Sequence, residues 1–156
     1  MKIYVIDNTG QIQTQWLAPK SDVGFFADEI QAVNALDQKK PDLILLHYGL
    51  RGKESARYID LLQAICPNAV IVLIGEQLSD DQVIPCLVSG AKGYQDSAEL
   101  AIYIEKIIKV TARGEAWIGR RLTARLLDTI RRQNRLENQE FYFSGQYIHS
   151  AAYQKM

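Results

Sequence analysis

Two uninterrupted apolar runs constrain the fold of this chain more than any other feature. Residues 43–46 read Leu-Ile-Leu-Leu, and residues 70–74 read Val-Ile-Val-Leu-Ile, with no polar residue in either run. A strand with one face in water alternates apolar and polar residues, whereas a strand covered on both faces does not. Both runs therefore predict central strands of a parallel sheet that has helices on each side.

Weaker strand signals alternate with helical patterns along the rest of the chain. Further strands are predicted at residues 3–6, 23–27 and 93–94, and helices at residues 9–19, 29–39, 56–65, 79–89, 97–112 and 121–136. Such alternation predicts right-handed βαβ units. We therefore predict a (βα)5 doubly wound parallel sheet with an extra C-terminal helix. The expected division is a domain over residues 1–118 and a C-terminal helix and tail over residues 119–156, a linker or dimerisation element.

Composition and charge narrow the class of protein. The chain has 156 residues, of which 47% are hydrophobic, and its N-terminus has no signal-peptide pattern. Cys66 and Cys86 lack metal-ligand spacing, so we expect reduced core thiols in a cytoplasmic protein without metal or cofactor. Residues 1–112 contain 10 Lys/Arg and 14 Asp/Glu, a net charge of −4, and residues 113–156 contain 8 and 4, a net charge of +4. The arginine-rich end is either a solvated helix face or a site for a partner or anion.

Two short motifs indicate a family. Residues 90–94 read Gly-Ala-Lys-Gly-Tyr, and residues 114–118 read Gly-Glu-Ala-Trp-Ile. With the segments 23–47 and 67–73, these motifs resemble, in order and spacing, the receiver domain of NarL/LuxR-type response regulators over residues 2–120. The resemblance implies the receiver fold, with flavodoxin-like strand order, and a role in two-component signalling and transcription regulation.

The chemistry of that family depends on a cluster that this sequence alters. The resemblance implies an acidic pair after the first strand, an acceptor aspartate after the third, a Thr or Ser after the fourth and a Lys after the fifth. Mg²⁺ requires several carboxylate oxygens, and a transferred phosphoryl group requires nearby positive charge. The matching positions are Asp7, Asn8, His47, Ile74 and Ser97. We therefore expect a degenerate phosphorylation pocket with no catalytic residues, that is, a pseudo-receiver that is not an enzyme.

Asp7, His47 and Tyr94 each also have a purely structural interpretation, which we favour. Asp7 is expected to cap the following helix, and His47 to form a hydrogen bond to a neighbour at the end of the sheet. Tyr94 occupies the position of the family's switch aromatic, but we expect it to pack or to mark an interface.

The segment Trp117-Ile118-Gly119-Arg120 is similar to the W-[FLM]-[TS]-R motif of VpsT-type biofilm regulators, whose receivers bind cyclic di-GMP. An indole and a guanidinium stack on guanine, and arginine also reaches phosphate. Trp117, Arg120 and Arg121 are therefore candidate contacts for a cyclic dinucleotide. Since Ile118 and Gly119 depart from the motif, a structural tryptophan is the preferred interpretation.

The last predicted helix carries an apolar stripe whose members are Leu122, Leu126, Leu127 and Ile130. Leu122, Leu126 and Ile130 are the predicted homodimer or partner contacts, because five βα units already close a core. A helix-turn-helix domain needs about 60 residues, and only 20 follow Leu136. DNA is therefore expected as a partner only if this chain is the regulatory half of a longer transcription factor. The alternative is a stand-alone pseudo-receiver that binds proteins.

Overall fold

The computed structural model describes residues 1–16 and 22–154, and side chains as far as residue 138. Within this part of the chain, five strands form one parallel sheet with the order β2-β1-β3-β4-β5. The strands are β1 (Ile3–Ile6), β2 (Val23–Phe26), β3 (Leu43–His47), β4 (Val70–Gly75) and β5 (Gly93–Asp96). Every residue of β1, β3 and β4 is buried, as expected for central strands. This order confirms the predicted doubly wound, flavodoxin-like sheet.

Helices connect successive strands and follow the last one. They are α1 (Gln11–Thr14), α2 (Glu29–Gln38), α3 (Ser55–Ile65), α4 (Asp80–Val88), α5 (Leu100–Ala112) and α6 (Arg120–Gln154), with 3-10 turns at Tyr48–Leu50, Gly52–Glu54 and Ser97–Glu99. One core cluster joins β1, β3 and β4 to Ile12, Trp16 and the buried stripe of α5, formed by Leu100, Ile104 and Ile107. These helices place the carboxyl ends of all five strands at the same end of the sheet.

Side-chain caps explain where two helices begin. Asp28 accepts hydrogen bonds from the backbone N–H groups of Ile30 and Gln31, at 2.7 and 3.0 Å. Ser79 and Gln82 form a reciprocal capping box at the start of α4. This box fixes the start of α4 at Asp80, and Pro85 lies inside the helix.

Three predicted helix or strand lengths are corrected. The first helix was expected over residues 9–19, but α1 covers only Gln11–Thr14, and Leu17 and Pro19 lie outside the described residues. The fifth strand continues past Tyr94 to Asp96. The last helix was expected to end near residue 136, yet α6 continues to Gln154. Residues 137–154 contain no proline and a single glycine, so no strong helix breaker ends α6 earlier.

The chain divides into two compact units, Met1–Gly119 and the part that begins at Arg120. The first contains the sheet and its helices, and the second contains α6. A role for the second unit as a linker or dimerisation element stays a prediction.

Candidate functional site at the carboxyl end of the sheet

The predicted pocket residues lie where the parallel strands end. Asp7 follows β1 and is 8% exposed, whereas His47 ends β3 and is 5% exposed. Ile74 is fully buried in β4, directly beside His47 in the strand register. Ser97 is buried just after β5. Asn8, by contrast, is exposed.

Asp7 uses its carboxylate to hold the start of α1. Its Oδ1 accepts hydrogen bonds from the backbone N–H and the hydroxyl of Thr9, at 2.8 and 2.6 Å. Its Oδ2 accepts a hydrogen bond from the backbone N–H of Ile12 at 3.1 Å. The N-cap residue of α1 is Gly10, which forms no side-chain cap bond, so Asp7 contacts the first turn of the helix from outside the N-cap position.

His47 is held by hydrogen bonds on both ring nitrogens. The backbone N–H of Gly49 donates to His47 Nδ1 at 2.9 Å, so Nδ1 is the unprotonated nitrogen. His47 Nε2 therefore carries the proton and donates a hydrogen bond to Gln11 Oε1, at 2.8 Å. Gln11 Nε2 in turn donates to a carboxylate oxygen of Glu76. A hydrogen-bonded chain thus crosses the carboxyl end of the sheet from β3 through α1 to the end of β4.

The remaining two pocket positions offer little to a phosphoryl group. Ile74 belongs to the apolar core and has no donor beyond its backbone. Ser97 supplies a hydroxyl and no charge. Neither replaces the hydrogen bond or the positive charge that the receiver chemistry needs.

Asp96 links β5 to the loop after β4. Its Oδ2 accepts from the backbone N–H of Gln77 at 2.9 Å, and its Oδ1 accepts from that of Ala98 at 2.9 Å. Gln77 has a φ of 47°, in the left-handed region that non-glycine residues rarely adopt. Sequence reasoning missed Asp96, Gln11 and Glu76. An acidic residue followed by Ser-Ala-Glu at a helix start was the one available signal for Asp96.

Tyr94 points its hydroxyl towards the same loop. That hydroxyl donates to the carbonyl of Gly75 at 3.3 Å and accepts from the backbone N–H of Leu78 at 3.2 Å. Burial raises the pKa of Tyr94. Tyr94 is half-buried, and a role for it as switch aromatic or interface residue stays a prediction.

The residues at this end of the sheet do not fit the Mg²⁺ ion of the receiver fold. Both oxygens of the Asp7 carboxylate already accept hydrogen bonds, and Asn8 and His47 stand where further carboxylates are needed. In the described part of the chain, no group of three or more His, Cys, Asp or Glu side chains is placed to bind a metal ion.

Trp117 is fixed to the sheet through its backbone and its ring. Its N–H donates to the carbonyl of Lys92 at 2.9 Å, and its carbonyl accepts from the N–H of Tyr94 at 3.0 Å. The indole Nε1–H donates to Gln95 Oε1 at 3.0 Å, and the ring lies 5.8 Å from that of Tyr103. These are the contacts of a structural tryptophan.

Arg120 and Arg121 are exposed and belong to the second unit. A cyclic dinucleotide site formed by them and Trp117 therefore stays a prediction. In that unit, Leu122 and Leu126 are half-buried, and Leu127 and Ile130 are 44% and 38% exposed. A partner for this stripe also stays a prediction.

Several solved structures share this fold. The isolated receiver (REC) domain of RcsB from Salmonella enterica serovar Typhimurium, in the apo form, aligns over 82% of this chain and 98% of its own, with 14% identity and a TM-score of 0.70. A LuxR-family two-component response regulator from Aurantimonas sp. SI85-9A1 aligns over 82% and 96%, with 14% identity and a TM-score of 0.65. The receiver domain of the putative response regulator NarL from Mycobacterium tuberculosis aligns over 73% and 97%, with 21% identity and a TM-score of 0.61.

By sequence, no protein-family model and no curated protein matches the chain. The structural likeness shows the fold, which is that of receiver domains with an added C-terminal helix. In the part of the chain that the structure describes, no helix is both long and apolar enough to span a lipid bilayer.

Proposed function

We propose that this protein is a pseudo-receiver, a cytoplasmic signalling or regulatory adaptor that binds partners and takes no part in phosphoryl transfer. The observation that supports this most directly is the hydrogen-bonded chain from His47 through Gln11 to Glu76. It occupies the place where a receiver holds its acceptor carboxylate and metal. The buried free thiols of Cys66 and Cys86 accord with a reducing compartment.

The chain of hydrogen bonds also accounts for the lack of phosphoryl transfer to His47. Nδ1 accepts the Gly49 N–H, and Nε2 carries a proton that is directed at Gln11. A phosphodonor would therefore have to break one of these contacts to reach a ring nitrogen. No metal-binding carboxylate pair or lysine stands at the matching positions to stabilise the transferred charge.

The test is incubation with acetyl phosphate and Mg²⁺, followed by intact mass spectrometry at neutral pH to preserve phosphohistidine. We expect no added phosphoryl group, whereas the isolated RcsB receiver domain serves as a positive control. An adduct of one phosphoryl group that is absent from His47→Asn would show that the histidine is an acceptor and would refute the proposal.

We propose further that the protein forms a homodimer through the apolar face of α6. Leu122, Leu126 and Ile130 lie at successive i, i+4 positions, so they share one face of the helix. Ile130 remains 38% exposed, and Leu127 beside it 44% exposed. Two such helices packed together would cover both stripes at once, because a two-fold interface uses the same surface twice.

Light scattering after gel filtration tests the dimer. At micromolar concentration we expect about twice the monomer mass of 17.7 kDa, and Leu126→Asp should return the protein to monomer. Ala124→Asp is the matched control, since residue 124 lies about 160° around the helix from residue 126. A monomeric wild type, or a Leu126→Asp variant that loses its circular dichroism signal, would assign the stripe to the monomer core instead.

A further inference from the structure

Arginine and lysine are unequally distributed between the two units. Residues 1–112 contain eight lysines and two arginines, whereas residues 113–156 contain seven arginines and one lysine. Six of these arginines lie in the first sixteen residues of α6. Lysine and arginine would keep the helix equally soluble, so solubility does not explain the choice of arginine. A guanidinium, unlike an ammonium group, forms paired hydrogen bonds to the oxygens of a phosphate or carboxylate, so this choice indicates anion recognition.

The arginines lie on the side of α6 that faces away from Leu122, Leu126 and Ile130. Arg131 follows Leu122 by nine residues, and Arg135 follows Leu126 by nine. At about 100° per residue, nine residues place each pair about 180° apart. The apolar face and the arginine face can therefore engage two different partners at the same time.

Three arginines of this face form one patch. Arg131, Arg132 and Arg135 line a single surface depression with Asp128, and all four residues are exposed. Arg132 Nη2 lies 3.5 Å from Thr129 Oγ1, a weak contact. Arg131 and Arg135 are separated by one helical turn, about 6 Å along the axis. We refer to Arg131, Arg132 and Arg135 as the arginine patch.

We propose that the arginine patch binds the phosphate backbone of double-stranded nucleic acid without sequence preference. A duplex carries a phosphate about every 1.7 Å of its axis, so a row of guanidinium groups finds partners in any register. An acidic protein would need carboxylates at matching positions. On a lipid surface, α6 would insert its apolar face and turn the patch away from the headgroups. This contact is independent of any helix-turn-helix domain.

The experiment measures fluorescence anisotropy of a short labelled duplex of arbitrary sequence, titrated with the full chain at salt concentrations between about 50 and 200 mM. Binding should weaken steeply with salt. Replacing the patch by R131Q/R132Q/R135Q should lower the log–log salt slope by about 2.7, because each phosphate contact contributes about 0.9 to the slope. Between about 50 and 200 mM salt a slope difference of that size changes the ratio of the two affinities about 40-fold, so binding at the lower salt should weaken by at least about 40-fold. The triple variant K53Q/K106Q/K109Q removes the same charge from exposed lysines of the first unit and should change binding far less.

A variant that is expected to bind more tightly separates a specific effect from loss of binding through unfolding. Asp128→Asn removes the acidic side chain from the depression and should tighten binding about threefold. No detectable duplex binding, or an equal loss in both triple variants, would overturn the proposal. Equal binding to polyglutamate or to phosphatidylserine vesicles would also overturn it, since the patch would then serve an acidic protein or a membrane.

Discussion

Gly93→Ala should detach the Trp117 segment from the sheet. A Cβ added at Gly93 would lie 2.7 Å from the backbone oxygen of Trp117 and 2.8 Å from its Cβ, closer than van der Waals contact allows. Two backbone hydrogen bonds, between Trp117 and the residues on either side of Gly93, would be lost. So would the bond from the indole to the buried side chain of Gln95.

The magnitude follows from these contacts. Each backbone hydrogen bond contributes about 1 kcal/mol, and a buried amide oxygen left without its donor costs about 1–3 kcal/mol. Alanine has less conformational freedom than glycine in the unfolded chain, which offsets the loss of stability by about 0.4–1 kcal/mol. We therefore expect the free energy of unfolding to fall by about 2–4.5 kcal/mol, with the strands beneath intact.

Urea denaturation followed by fluorescence measures the loss, and hydrogen exchange of the Tyr94 and Trp117 amides locates it. Gly119→Ala is the matched control, because Gly119 has no atom within 4 Å of the added Cβ and needs no positive φ. We expect that control to be neutral or slightly stabilising. A Gly93→Ala protein as stable as the control, with both amides still protected, would refute this reasoning.

Three further predictions concern metal, capping and thiol ionisation. Millimolar Mg²⁺ should leave the melting temperature unchanged, since the Asp7 carboxylate is already occupied by backbone and hydroxyl donors; a saturable rise that disappears in Asp7→Ala would contradict this. Ser79→Ala should lower the free energy of unfolding by about 1 kcal/mol by removing the capping box, whereas Ser89→Ala, at the other end of α4, should change it little; equal losses would count against the cap. Burial raises the pKa of Cys86 to about 11. Between about pH 9 and 11 the thiol therefore ionises in the unfolded chain but not in the folded protein. The free energy of unfolding should be unaffected by this thiol below about pH 8.5 and should fall by about 3 kcal/mol across that range. Denaturation at several pH values should show that this component is absent from Cys86→Ala; an identical pH dependence in both proteins would rule out the thiol as its source.

The sheet could be predicted from sequence because its evidence is local. The apolar runs of β3 and β4 indicate strands buried on both faces, and the helix patterns between the strands indicate a parallel sheet. The order of the strands followed from the resemblance to receiver domains. The end of α6 could not be predicted in this way. Beyond Asn138 the aromatic residues follow no helical spacing, so apolar periodicity stops before the helix does.

The pocket was only partly predictable, for a different reason. Asp7, His47, Ile74 and Ser97 follow from strand ends and motif spacing. The bond from His47 to Gln11 joins residues 36 apart, and that from Gln11 to Glu76 joins residues 65 apart. No sequence pattern predicts such contacts for a glutamine in a short polar helix, so only the three-dimensional structure shows them.

The backbone pairing of Trp117 has a consequence for how the molecule associates. β5 is an edge strand, and edge strands present free N–H and C=O groups that can recruit a strand from another chain. The carbonyl of Lys92 and the N–H of Tyr94 are already bonded to Trp117. Strand addition is therefore blocked along this part of β5, whereas β2, the other edge strand of the sheet, is not covered by this segment. The short segment around Trp117 thus protects the β5 edge of the sheet against pairing with a strand of another chain.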